Sequence, residues 1–202
     1  MKLVAEHAWL LTFEDADERR ANERARTAAA LLHGLKREGL VEAIPAARTL
    51  FVEGTAAFDA GILVGLEAGR AGPPLPEGRE HEIRVRGDGE DLPEVSLSLG
   101  LSPAAFWDAF LAVTFTVGFL GFSPGFAYLN GLPRSLQLPR RRAPRVTVPK
   151  GSLAMAGPYV GIYPDAMPGG WNLLGTAESS LFDVARRPPA LFSPGDIVRF
   201  AR

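Results

Sequence analysis

The sequence predicts an α+β protein of two domains, a small ferredoxin-like domain over residues 1–87 and a β-rich barrel or sandwich over 88–202. Three observations carry this. The N-terminal part alternates strand-like runs with two helical segments in the order β-α-β-β-α-β, the ferredoxin-like arrangement. Beyond Leu111 the 3.6-residue period fades, and short apolar runs such as "VTVPKG", "LAMAGPYVGIYP" and "SPGDIVRFA" alternate with Gly/Pro turn signals, the pattern of a barrel or sandwich. A length of 202 residues accommodates two small domains.

Taken in order, Trp9 to Phe13 reads as a first strand. Asp15 and Glu18 stand at capping-box spacing, with Asp in the place of Ser or Thr. Ala21, Ala25, Ala28, Leu32 and Leu35 then recur every three or four residues and mark one helix face, with Gly39 as the expected C-terminal cap. Strands follow at Val41–Ile44 and Arg48–Glu53, and a second helix spans Ala56 to Leu66, closed by Gly69. "GRAGPPLPEG" (69–78) is too rich in Gly and Pro for regular structure. "EHEIRVR" (80–86) alternates like a half-buried strand and completes the first domain.

Two short helices are expected at Leu92–Leu99 and Ser102–Leu111, the second with Ser102 as N-cap and Pro103 at its first position. Ala104 to Phe122 is apolar enough to suggest a membrane span, but Asp108 interrupts it, and Thr114, Thr116 and Val117 favour a strand. A buried helix followed by a buried strand fits better. Ser193–Asp196 reads as a hairpin turn before the last strand, and Asp165 and Asp183 as turn or cap residues.

Composition narrows the chemistry. A net charge of −1 leaves no broad basic face for nucleic acid. The absence of cysteine removes disulfides, thiolate nucleophiles and Cys-ligated metals, and His7, His33 and His81 lie far apart, so no metal site is expected. After Met1 and Lys2 the chain soon reaches Glu6, His7, Glu14 and Asp15 without a small-residue cleavage site, so the expected location is cytoplasmic and off the membrane.

"GFSPGFAYLNGLP" (121–133) begins with G-x-S-x-G, the pattern of a hydrolase nucleophile elbow with Ser123 as nucleophile. The residue after the serine must lend its backbone N–H to the oxyanion hole, and here that residue is Pro124, which has none. One such donor is worth about 3 kcal/mol of transition-state stabilisation. All three histidines precede Ser123, and Gly125 rather than a helix follows Pro124. The stretch is better read as a rigid loop shaped by Pro124, Gly125 and Phe126.

Later loops carry the candidate binding groups. Arg140, Arg145 and Lys150 fall within eleven residues, with Gly151 and Ser152 following. Guanidinium and ammonium groups so grouped suit a carboxylate or phosphate. Alternatively, Arg140–Arg142 form a solvated loop face, most strongly so for Arg141 and Arg142. Trp171, in "PGGWN" with Gly169 and Gly170, either covers a ligand or plugs a barrel end, and Phe126 and Tyr128 carry the same ambiguity with core packing. Arg140, Arg145, Lys150, Ser152 and Trp171 are the expected substrate-binding residues, while no catalytic residue is assigned.

The succession "GFSPGFAYLNGLP", "LPRRRAPRVTVPKGSLAMAG", "VGIYPDAMPGGWNLLG" and "LFSPGDIVRF" resembles the family that holds the B subunit of 5-oxoprolinase, the sporulation kinase A inhibitor KipI and allophanate hydrolase subunit 1. The resemblance is strong from about Asp91 onward. It implies that the second domain is a cyclophilin-like β-barrel. It also implies work within a hetero-oligomer, alongside the paralogous C subunit and the A subunit of 5-oxoprolinase. Such an assembly hydrolyses 5-oxo-L-proline to L-glutamate, with ATP as its cofactor rather than necessarily that of this chain. Alternatives within the family are a regulatory inhibitor of a sensor histidine kinase and a component of an allophanate hydrolase or urea carboxylase-type system. Three departures stand out. Ser123 and Ala127 replace an apolar residue and a proline; "WDAFLAVTFTV" (107–117) lacks the family's usual histidine; and Gly175-Thr176 lacks the arginine of its usual Gly-Arg-Thr.

Overall fold

The computed structural model describes residues 1–67 and 78–202, which fall into two compact units, Met1–Glu77 and Gly78–Arg202. The segment read as irregular from its Gly and Pro content, and Gly69 as a helix terminator, lie outside the described residues, apart from Gly78.

The first unit contains β1 (Lys2–Ala5), β2 (Ala8–Thr12), α1 (Glu18–Gly34), β3 (Leu40–Pro45), β4 (Thr49–Gly54) and α2 (Gly61–Glu67). Its four strands form an antiparallel sheet ordered β1-β2-β4-β3, with Leu11 opposite Leu50 and Ala43 opposite Val52. These side chains share one face because strand residues alternate sides. They bury against Ala21, Ala25, Ala28 and Leu32 of α1, whose small methyl groups let helix and sheet approach closely.

Several local expectations shift. Asp17, not Asp15, caps α1: its carboxylate accepts from Arg19 N–H at 2.9 Å, while Asp15 accepts from Asp17 N–H. The helix stops at Gly34, so Leu35 caps it and stands 47% exposed instead of extending the buried face. Gly39 sits beyond the helix end, in the turn before β3. The second helix is shorter than its apolar pattern and begins at Gly61, where Asp59 Oδ1 accepts from Gly61 N–H. The short β1, unread because "KLVA" has no strict alternation, hydrogen-bonds to β2 on its outer side.

The second unit begins with β5 (Glu80–Arg86). This strand, expected to complete the first domain, instead pairs in parallel with β13 (Ile197–Ala201) and antiparallel with β12 (Asn172–Ala177). Its local alternation declared a strand but not a partner, so the division falls at 77/78 rather than 87/88. The remaining strands are β6 (Phe115–Leu120), β7 (Ala127–Asn130), β8 (Arg145–Val148), β9 (Ser152–Ala156), β10 (Tyr159–Ile162) and β11 (Met167–Gly169). Seven strands close a barrel in the order β10-β7-β6-β13-β5-β12-β9, and β8 and β11 form a separate ribbon.

Helices α3 (Leu92–Ser98) and α4 (Pro103–Leu111) precede β6, and Ser102 Oγ accepts from Ala105 N–H at 3.2 Å, the expected cap. Phe106, Trp107 and Phe110 of α4 are buried, and Phe110 stacks on Phe200 of β13. The apolar run 104–122 is therefore a helix followed by a strand, as expected. No helix among the described residues is long and apolar enough to cross a membrane. The turn at Ser193–Asp196 forms, with Ser193 O accepting from Asp196 N–H, but it is no hairpin: it feeds β13 alongside β5 and β6.

Candidate functional site

A pocket of about 300 Å3 opens on the second unit, lined by three loops and the end of β7. The first loop joins β6 to β7. Gly121 N–H donates to Phe126 O, and Phe126 N–H donates to Ser123 O, drawing the chain into a tight turn. Gly125 has φ +83°, and a Cβ there would lie 2.7 Å from Phe182 Cβ, so only glycine fits without strain. The turn leaves Phe122 62% exposed at the pocket rim and Phe126 buried in its wall. A strand, not a helix, follows Ser123, and Pro124 offers no N–H, so no nucleophile elbow exists.

The second loop, between Leu138 and Arg145, contributes Arg140 and Pro144. The third, the end of β11 and the turn after it, contributes Pro168, Gly169, Gly170 and Trp171. A Cβ at Gly169 would run into the phenol oxygen of Tyr163, so glycine lets the backbone pass that close. Trp171 meets Phe126 and Tyr128 edge-on at 5.4 and 5.6 Å, a half-buried wall of the pocket.

Five aromatic rings and one exposed arginine thus line the same pocket. Tyr163 is buried, its backbone held by Ser152 O and Gly151 N–H, while the backbone N–H of Trp171 points at its phenol oxygen. Burial pushes the Tyr163 phenol above its ordinary value, outweighing the bond from Trp171 and the positive charge of Arg140. Burial likewise raises Tyr128 against the pull of Arg140. Both phenols are therefore neutral near pH 7 and able to donate hydrogen bonds, with Arg140 supplying the positive charge.

Only Arg140 and Trp171 of the five expected substrate-binding residues line this pocket, with Phe126, Gly169 and Gly170 from the loop-shaping set. Arg145 points elsewhere. Its Nη2 donates to both carboxylate oxygens of buried Asp91, at 2.7 and 2.9 Å, and its Nε pairs with Glu90. Lys150 is exposed in the turn before β9. Ser152 is buried and donates to Pro149 O, so it and Gly151 reach the pocket through the backbone of Tyr163.

Asp91 and Tyr163 are the polar residues that sequence reasoning missed, alongside Phe122, Pro144 and Pro168 of the lining. Asp91 Oδ1 also accepts from Arg141 Nη1 at 2.9 Å, and Oδ2 accepts from Leu173 N–H at 2.8 Å. Arg141 is therefore tied down although its side chain stays 32% exposed, and its own N–H donates to Gly170 O, while Arg140 and Arg142 are exposed as a solvated loop face would be. One carboxylate ties the second loop to the strand that follows the third. Nothing in "GEDLP" announces this beyond an acidic residue before a helix with an early proline.

Comparison with known proteins supplies the family. Residues 1–192 match the family described as carboxyltransferase domain, subdomain C and D. The chain belongs to this family. It is 48% identical to the B subunit of 5-oxoprolinase from Escherichia coli O157:H7 over 128 residues, covering 62% of this chain and 59% of that protein. The crystal structure of TTHA0988 superposes with a TM-score of 0.84 at 42% identity, covering 96% of this chain and 40% of that one. The urea carboxylase of Kluyveromyces lactis shares the fold, with a TM-score of 0.74 at 14% identity over 97% of this chain and 21% of that one. The chain thus spans about three fifths of the Escherichia coli relative and two fifths of TTHA0988.

Proposed function

We propose that this chain serves as the B component of an ATP-dependent 5-oxoprolinase, acting with the A and C components to open 5-oxo-L-proline to L-glutamate. In this reading the barrel is the cyclophilin-like substrate domain, and ATP is consumed by the assembly. The observation that carries the proposal is the aromatic pocket built around Arg140. The substrate is a flat five-membered lactam with one carboxylate. Aromatic faces and edges suit its ring, and the planar guanidinium suits its carboxylate. Neutral Tyr163 or Tyr128 donates to the lactam carbonyl, a contact that strengthens as negative charge grows on that oxygen during water addition. A volume of about 300 Å3 matches a small ligand.

The barrel's missing histidine and arginine affect other positions and leave these groups in place. The test is phosphate release by the chain co-purified with the A and C components. Release is expected only when 5-oxoproline is present, with R140A lowering kcat/KM roughly tenfold to hundredfold through loss of a charge-assisted pair. Release independent of 5-oxoproline, or an R140A variant of full activity, would overturn the assignment.

A further inference from the structure

Beside the aromatic pocket lies a second recess of about 460 Å3, between α3 and the loop 138–143. Arg140, Arg141 and Arg142 line it, with Glu94, Ser98 and Asn172. The charges here can be accounted for one by one. Arg145 is taken up by Asp91 and Glu90, and Arg141 by Asp91 and Glu94. Glu94 is in turn occupied, 3.1 Å from Arg141 Nη1. Among the described residues no carboxylate stands within ion-pair distance of Arg140 or Arg142. Arg140 and Arg142, two positions apart and both exposed, therefore line one recess without a counter-ion.

The backbone that carries them is already fixed. Arg141 N–H donates to Gly170 O at 2.7 Å, and Asn172 Nδ2 donates to Pro139 O at 3.0 Å. Asp91 anchors the same loop from below through Arg141 and Arg145. A preformed loop of this kind loses little entropy when an anion arrives.

We propose that this recess is an oxyanion site for a phosphate group, distinct from the aromatic pocket and sharing Arg140 with it. A carboxylate is matched by one planar guanidinium, whereas a phosphate carries close to two charges near pH 7 and is matched by two. Ser98 adds a hydroxyl donor at the rim. Arg140 has donors enough for both ligands, so phosphate and lactam meet at one side chain. The inference rests on the 5-oxoprolinase reading only for the identity of the neighbouring ligand.

Titration calorimetry of the full chain at constant ionic strength tests it, with inorganic phosphate, pyrophosphate and ATP in one set and 5-oxoproline in another. Arg142→Ala should weaken phosphate binding roughly tenfold or more, the loss of a charge-assisted pair, and leave 5-oxoproline binding unchanged. Arg140→Ala should weaken both, and Trp171→Ala only 5-oxoproline. Binding of ATP but not free phosphate, lost in R142A, identifies the phosphate as a nucleotide's and supports the site. Phosphate binding with the same R142 dependence but no 5-oxoproline binding would sustain this site while removing the enzymatic reading. The site is overturned if R142A binds all three anions as well as the parent chain, if R20A on α1 costs as much as R142A, or if 5-oxoproline displaces phosphate competitively.

Discussion

Two buried aspartates organise the second unit, and they differ in whom they hold. Asp91 takes two arginines and the backbone N–H of Leu173, tying together the loops on two sides of the pocket. Asp196 takes His81 Nε2 at 2.9 Å, Arg79 through backbone and side chain, and the N–H of Ser193, tying the start of β5 to the start of β13. Both side chains are about 5% exposed or less. The same residue type, equally buried, positions a site in one place and closes a barrel in the other. Their partners separate them further: Asp91 holds two guanidiniums, whereas Asp196 holds one guanidinium and one imidazole.

That contrast can be broken most severely at Asp91. Asp91→Ala removes the acceptor common to both arginines and should cost about 3 kcal/mol in chemical denaturation, the scale for orphaning part of a buried ion pair. It should also weaken 5-oxoproline binding although Asp91 does not line the pocket. An unchanged ligand affinity in a folded D91A protein would show that the loops hold their places without it.

Asp196→Asn should cost less, about 2 kcal/mol, because the neutral amide retains one acceptor. It should leave ligand affinity untouched. It should also alter the acid limb of stability. Burial alone would raise the Asp196 carboxyl, but His81, the N–H groups of Ser193 and Arg79, and the charge of Arg79 together hold it below its ordinary value. A folded-state value below the unfolded one, about 4, gives stability that is present above the unfolded value and lost as pH falls through the folded one. Unfolding midpoints measured from pH 6 downward should therefore fall less steeply in D196N than in the parent chain.

The smallest effect is expected at the rim of the Asp91 cluster. Glu94→Ala deletes an exposed partner of Arg141 and should change stability by about 0.5 kcal/mol or less, since solvent screens such pairs. A larger loss would mean that Arg141 depends on Glu94 rather than on Asp91.

What could be read from the chain alone follows the range of the forces involved. The α1 face from Ala21 to Leu32, the Ser102 cap and the strand at 80–86 are set by neighbours a few residues away, and all three are present. The identity of β5's partner is not local: it pairs with residues more than a hundred positions later, so the same alternation suited either unit. Arg140 and Arg145 are indistinguishable as letters in one loop. What separates them is Asp91, 54 residues before Arg145, and a carboxylate at that distance leaves no periodicity to detect. Tyr163 was hidden for a similar reason, since "YVGIYP" reads as an ordinary apolar strand until Gly169 and Trp171 close over the phenol.

Parallel pairing of β5 with β13 has a bearing on how the chain is made. The first and last strands of the barrel lie side by side, with Glu80 opposite Ile197 and Arg84 opposite Ala201. During synthesis β5 leaves the ribosome with both edges unpaired; β12 can cover one after residues 172–177, and the other stays open until residues 197–201 have been translated. The barrel can therefore be completed only once residues 197–201 have been made, and its rate of closure is governed by a contact of very long sequence separation. A nascent chain stalled before Ile197 would present that open edge to chaperones and to other nascent copies alike.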